Sequence, residues 1–172
     1  MRLLLLLAAL GLLGTGLPAA AQTARQQATR IGTFQDWTAA WYREGQVKIC
    51  YAFTNATRSQ PQRNGVRLMV THGATMRDAV TLVPGYSYPR GAPDVIATVA
   101  GQELPLDPRA TAALARNRTA AVAAFRTGRE VVTRGSHPSR MPAIDHFSLA
   151  GFTAAYEAMS RECPAPATSP RR

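Results

Sequence analysis

Apolar and polar residues alternate in short runs along most of the chain, and turn-forming residues separate the runs. Val47-Lys48-Ile49-Cys50-Tyr51-Ala52-Phe53 places Val47, Ile49, Tyr51 and Phe53 on one face, which predicts a half-buried strand. Val66 to Thr71 alternates again with Val66, Leu68 and Val70 inward, and Asp78 to Val83 follows before Pro84-Gly85 stops it. Asp94 to Ala100 sets Val95, Ala97 and Val99 on one side, and strand sequence resumes at Glu130 to Arg134 and at Ile144 to Leu149. Asn55 to Asn64, rich in Ser, Gln, Pro and Asn, predicts a connecting loop, and so does Gly135 to Pro142. Short strands at this spacing, each with one apolar face, predict a mainly β domain of antiparallel sheets packed as a sandwich.

Two segments change period. Asp107-Pro108 has the form of a helix start, and Ala-rich sequence runs from there to Phe125, with Gly128 as a stop. The apolar stripe is thin, so the prediction is a short internal helix around residues 119–127. In Gly151 to Cys163, apolar residues recur at Phe152, Ala155, Tyr156, Met159 and Cys163, the period of an amphipathic helix. Its last turn puts Cys163 on the buried face, where it can meet Cys50.

The first 21 residues differ from all of this. Arg2 precedes an apolar run from Leu3 to Leu13, and Ala19-Ala20-Ala21 closes it before Gln22. A single positive charge, a short apolar run and small residues before a cut predict a cleavable signal peptide over 1–21. The run is too short for a bilayer span, which needs about 20 residues, so no transmembrane span is expected after cleavage. Residues 22–33 read as a flexible leader, 34–163 as one domain, and 164–172, with three prolines, as a disordered tail. The expected location is the periplasm or the outer cell surface. In such a compartment Cys50 and Cys163 would form a disulfide; two buried free thiols are the other reading.

Charge adds a partner class. The 172 residues carry 20 basic and 10 acidic side chains, formally +10, and Lys48 is the only lysine. Such a surface attracts anions. The arginines are dispersed and aromatic residues few, so no dedicated nucleic-acid face is expected. Arg134 and Arg140 flank a proline-containing loop, and Arg90 lies near Tyr86 and Tyr88; these five are the candidate binding residues. The expected partner is another envelope protein or an anionic envelope component.

Catalytic signatures are thin. Ser136, His137, Asp145 and His146 would suit a hydrolase only if a serine hydroxyl, an imidazole and a carboxylate converged, and no Gly-x-Ser-x-Gly elbow is present. His72, His137 and His146 do not stand at metal-ligand spacing, and no cofactor motif occurs. The expectation is a non-enzymatic binding domain without metal or cofactor; a periplasmic hydrolase using histidine and acidic side chains is the alternative.

Several blocks resemble one known family. Lys48-Ile49-Cys50-Tyr51-Ala52, Arg77-Asp78-Ala79-Val80 and Pro84-Gly85-Tyr86-Ser87-Tyr88 come first. Phe125-Arg126-Thr127-Gly128, Arg134-Gly135-Ser136 and the run from Asp145 to Ala155 follow, with a cysteine at the end. In order and spacing they are similar to the invasion-associated locus B (IalB) family of bacterial exported proteins, over 34–163. The resemblance implies an immunoglobulin-like β-sandwich, export to the periplasm or surface, and no established catalytic residues. In the best-known members it implies a part in entry into host red cells, although most relatives sit in bacteria that invade nothing. Two departures stand out. Relatives often carry a cysteine soon after the Asp-Trp pair, which Asp36-Trp37-Thr38-Ala39-Ala40-Trp41 lacks; that removes a local partner for Cys50 and favours its pairing with Cys163. Relatives also tend to have Ser-x-Arg-Gly-Thr before the Asp145 strand, where this chain reads Ser136 to Pro142 with the glycine lost.

Overall fold

A computed structural model describes residues 27–165. The expected signal peptide, and the tail beyond residue 165, lie outside the described residues. The strands are β1 (Thr29–Phe34), β2 (Trp37–Glu44), β3 (Val47–Asn55), β4 (Arg58–Gln60), β5 (Arg67–His72) and β6 (Ala79–Val83). They continue with β7 (Val95–Val99), β8 (Gln102–Arg109), β9 (Ala112–Ala115), β10 (Glu130–Ser136) and β11 (Pro142–Ser148). Two helices complete the chain, α1 (Arg118–Thr127) and α2 (Phe152–Glu162). The protein is mainly β, with the expected internal helix and C-terminal amphipathic helix.

All strand pairs are antiparallel, and the strands form one sheet in the order β1-β2-β3-β5-β6-β9-β8-β7-β10-β11-β4. The sandwich character comes from this sheet bending back on itself. β4 follows β3 after two residues yet pairs with β11 at the far end of the sheet. At the crossing, the Ala56 N–H donates to the Val66 carbonyl (3.0 Å) and the Thr57 N–H to the His146 carbonyl (2.8 Å). Leu68, Val70, Val80 and Leu82 from one half meet Val95, Leu106, Val131 and Phe147 from the other in a single buried core.

β5, β6 and β7 show the burial their alternation predicts: Leu68 and Val70, Val80 and Leu82, and Val95, Ala97 and Val99 are all buried. β3 corrects the prediction. Its buried residues are Cys50, Ala52 and Thr54, while Ile49, Tyr51 and Phe53 are only half-buried on the outer face and Val47 is exposed. The reason is α2, which packs on β1, β2 and β3; small side chains let a helix approach a sheet closely. Outside, Tyr42, Tyr51 and Phe53 form a row with ring centroids 5.9 Å apart.

Three further stretches differ from expectation. β1 begins at Thr29, inside the expected leader, because its backbone pairs with β2 from Thr29↔Trp41 to Phe34↔Trp37. β4 forms inside the expected 55–64 loop, held only by β11. Asp107-Pro108 is not a helix start but lies in β8, opposite Leu114 and Ala113 of β9. Pro108 sits beyond the last β7–β8 pair, Val95↔Leu106, where one side of the strand has no neighbour and a sheet tolerates a missing N–H. α1 instead starts at Asn117, whose side chain accepts from the Ala120 N–H at 3.0 Å.

α2 closes the core. Phe152 is fully buried, with its ring 4.8 Å from Trp37 and 5.5 Å from Phe125, both edge-on. Gly151 must be glycine: its φ is +87°, and an added Cβ would lie 1.8 Å from the Phe34 carbonyl oxygen. At the far end of the helix, Cys163 is bonded to Cys50. The disulfide is the pairing expected.

α2 also covers a buried histidine. His72, 1 % exposed, accepts from the Asp78 N–H at Nδ1 (3.3 Å), which leaves Nε2 to donate to the Ser160 hydroxyl at 3.0 Å. Tyr156 packs edge-on against the ring and donates to Asp78 Oδ1 at 2.6 Å. Burial, and then the nearby Arg77 charge, lower the His72 pKa, so the folded state holds the neutral ring. The unfolded chain takes up a proton near pH 6.5 while the folded chain resists it. Stability is therefore full above that pH and falls as pH drops below it, by at most about 1.4 kcal/mol per unit. Urea unfolding at pH 7.5 and 5.5 should show this fall, and His72→Gln should flatten it. Equal slopes in the two proteins would contradict the assignment.

Candidate functional site

A cleft of about 630 Å³ lies between the segment after β6 and the β10–β11 hairpin. It is open on one side and of the size that holds a small ligand. Both walls are local structures that the sequence dictates. On one side, the Ala92 N–H donates to the Pro89 carbonyl (3.2 Å) in a turn with Gly91 at φ +69°. On the other, the hairpin pairs as far as Ser136↔Pro142, and the Arg140 N–H donates to the His137 carbonyl at 2.9 Å. Arg140 has φ +64°, a left-handed conformation that glycine adopts freely and other L-residues adopt at a cost of about 1–2 kcal/mol. The hairpin tip thus carries a strained arginine where glycine would sit without strain.

Arg90, Arg134 and Arg140 all line this cleft. All three are exposed, and none forms an ion pair with a carboxylate among the described residues. The one acidic residue in the lining, Asp94, is engaged by Arg116 through two hydrogen bonds of 2.6 and 2.7 Å. The first cause of its lowered pKa is that hydrogen bonding, so the carboxylate stays ionised and neutralised from outside the cleft. His137 adds a ring whose Nδ1 accepts from the Ser139 N–H (3.2 Å), leaving Nε2 to carry the proton. Apart from Ser136, the other side chains of the lining are apolar. Ile96 and Pro142 belong to the strands beneath, Pro89 and Pro93 to the facing segment, and Met141 to the rim.

Tyr86 and Tyr88 stand behind the cleft and are absent from its lining. Tyr86 packs edge-on against His137 at 4.7 Å and against Tyr88 at 5.1 Å, joining one wall to the other. The Arg63 guanidinium also lies over its ring, 5.1 Å from the centroid. Arg63 in turn forms an ion pair with Asp145, both side chains being more than nine-tenths buried. Burial pushes the Asp145 carboxyl upward, an effect the Arg63 charge opposes. Burial likewise pushes the Tyr88 phenol far up, so its hydroxyl is neutral at any physiological pH; it has no protein partner. Gly135 lets the hairpin close on this base: a Cβ there would lie 3.0 Å from Val95 and 3.6 Å from the Tyr86 hydroxyl.

Thus three of the five candidate binding residues meet at one cleft, and the two tyrosines support it from below. Sequence reasoning missed Ile96 and Met141, and it missed Arg63 altogether. Arg63 lay in a predicted connecting loop, and nothing local marks a residue whose partner is 82 positions away.

The four residues of the hydrolase alternative are not brought together. Asp145 points inward to Arg63, while His146, the next residue on the strand, faces outward. His146 Nδ1 lies 3.0 Å from Glu130 Oε1, and its Nε2 lies 2.8 Å from Arg58 Nη2. His137 bonds Ser139 rather than Ser136, and no carboxylate orients it. The three histidines occupy separate places, and no group of three metal-ligating side chains occurs among the described residues. No family model, curated protein or solved structure matches this chain.

Proposed function

We propose that this protein is a non-enzymatic, exported binding domain of the invasion-associated locus B type, which holds an anionic partner of the cell envelope in the arginine-lined cleft. One observation carries the reading: Arg90, Arg134 and Arg140 surround a single cleft without carboxylate partners, on a chain of formal charge +10. Positive charge that the protein does not neutralise is available to a partner, and guanidinium groups suit carboxylates and phosphates geometrically. The Cys50–Cys163 disulfide supports an oxidising compartment, the periplasm or outer surface. No helix among the described residues is long and apolar enough to cross a membrane.

Retention of the purified protein on envelope fractions tests this reading. Binding should weaken as salt rises, because exposed charges are screened. Arg90→Ala, Arg134→Ala and Arg140→Ala combined should lower retention about ten- to a hundredfold, as expected for losing several charge-assisted contacts. A triple variant retained as well as the native protein would overturn the assignment.

A further inference from the structure

The lining of the cleft says more about its occupant than charge alone does. Met141 is 61 % exposed, the most open large apolar side chain among the described residues, and it stands on the cleft rim beside Arg140. A flexible thioether in that position costs free energy in water and adapts readily to an apolar guest. Ile96, directly opposite Arg134 in the β7–β10 ladder, gives the floor an aliphatic surface next to a guanidinium. Pro89, Pro93 and Pro142 carry no backbone N–H, so these parts of the wall offer a ligand no amide donors. Charged donors are thus confined to the arginines, with His137 and the Ser136 hydroxyl as the neutral side-chain donors beside an otherwise largely apolar wall.

We infer that the cleft binds an amphiphilic phosphate: a phosphomonoester head on the arginines, with the first carbons of an attached apolar body against Ile96, Met141 and the prolines. Three guanidiniums favour a head that carries more than one negative charge and several acceptor oxygens, and a phosphomonoester supplies both. The same chemistry is offered by the head of a phosphorylated lipid and, without the apolar body, by free phosphate. The inference rests on the proposed binding function and narrows its ligand.

Calorimetric titration of the purified protein with inorganic phosphate, n-octyl phosphate below its micelle concentration, and neutral octyl glucoside distinguishes these sources. Each methylene removed from water multiplies affinity about fourfold, so octyl phosphate should bind at least ten times more tightly than inorganic phosphate. Arg134→Ala with Arg140→Ala should weaken octyl phosphate tenfold or more. Met141→Ser, at a site too exposed to affect folding, should weaken octyl phosphate severalfold and leave inorganic phosphate unchanged. Equal affinity for inorganic and octyl phosphate would overturn the apolar part of the inference, and equal affinity for octyl phosphate and octyl glucoside would overturn the phosphate part. Should no probe bind while arginine-dependent retention on envelope fractions persists, the amphiphilic ligand falls and the broader binding function stands. Loss of both would remove the cleft as a site.

Discussion

Replacing Asp145 with alanine is expected to destabilise the fold by about 3–5 kcal/mol, because it leaves the Arg63 guanidinium buried without a counter-charge. The Arg63 side chain is only 7 % exposed, and its Nε and Nη1 already have no protein partner. The Asp145 carboxylate is therefore the principal group compensating that charge. Removing both ions should cost far less than removing one: Arg63→Met with Asp145→Leu replaces the pair by apolar side chains and should recover most of the stability. Denaturant titration of the two single variants and the double variant gives the coupling directly. If Asp145→Ala stays within about 1 kcal/mol of the native protein, Arg63 has found water and the pair is not a structural post. The consequence reaches the cleft, since Arg63 also supports the Tyr86 ring that holds the hairpin through His137.

Cys50→Ala with Cys163→Ala is expected to be comparably severe. The bridge joins residues 113 apart, and a loop of roughly 100 residues is worth about 4.7 kcal/mol in the chain-entropy model. For a domain of this size that corresponds to a fall in melting temperature of roughly 10–20 °C. Alanine suits the buried Cys50 position, whose neighbour on the same face is Ala52, so lost cross-linking should dominate over lost packing. Thermal unfolding followed by circular dichroism, native against double variant, measures it. A change under about 1 kcal/mol would mean that packing of α2 alone already restrains the chain end.

Much of the fold could be read from alternation, where each strand has one apolar and one polar face. β5, β6, β7, β10 and both helices fall in this class, because inside and outside make opposite demands on their residues. β3 misled because both its faces carry apolar residues. Size, not polarity, decides which face turns inward, and the deciding partner α2 lies a hundred residues later in the chain. β8 and β9 were hidden by Pro105, Pro108 and a run of alanines, whose local preferences favour other structures; pairing with β7 and β6 overrides them. The site divides the same way. Turn chemistry marks the loops that present Arg90 and Arg140, and Arg134 lies on β10 just before the second of them. No local signal identifies Arg63 as a buried cation, because its environment is assembled from β11 and the segment after β6.

The disulfide also governs how the native state can be reached. Cys50 lies fully buried in the finished fold, and its partner Cys163 stands more than a hundred residues later in the chain. With only two cysteines in the chain, no scrambled intramolecular isomer exists, and no isomerase is needed to sort one. The competing reaction is between chains: a Cys50 that meets another molecule before α2 arrives gives a covalent dimer. Oxidation within one chain therefore requires α2 to have docked on β3, and it competes with cross-linking between chains that meet before that.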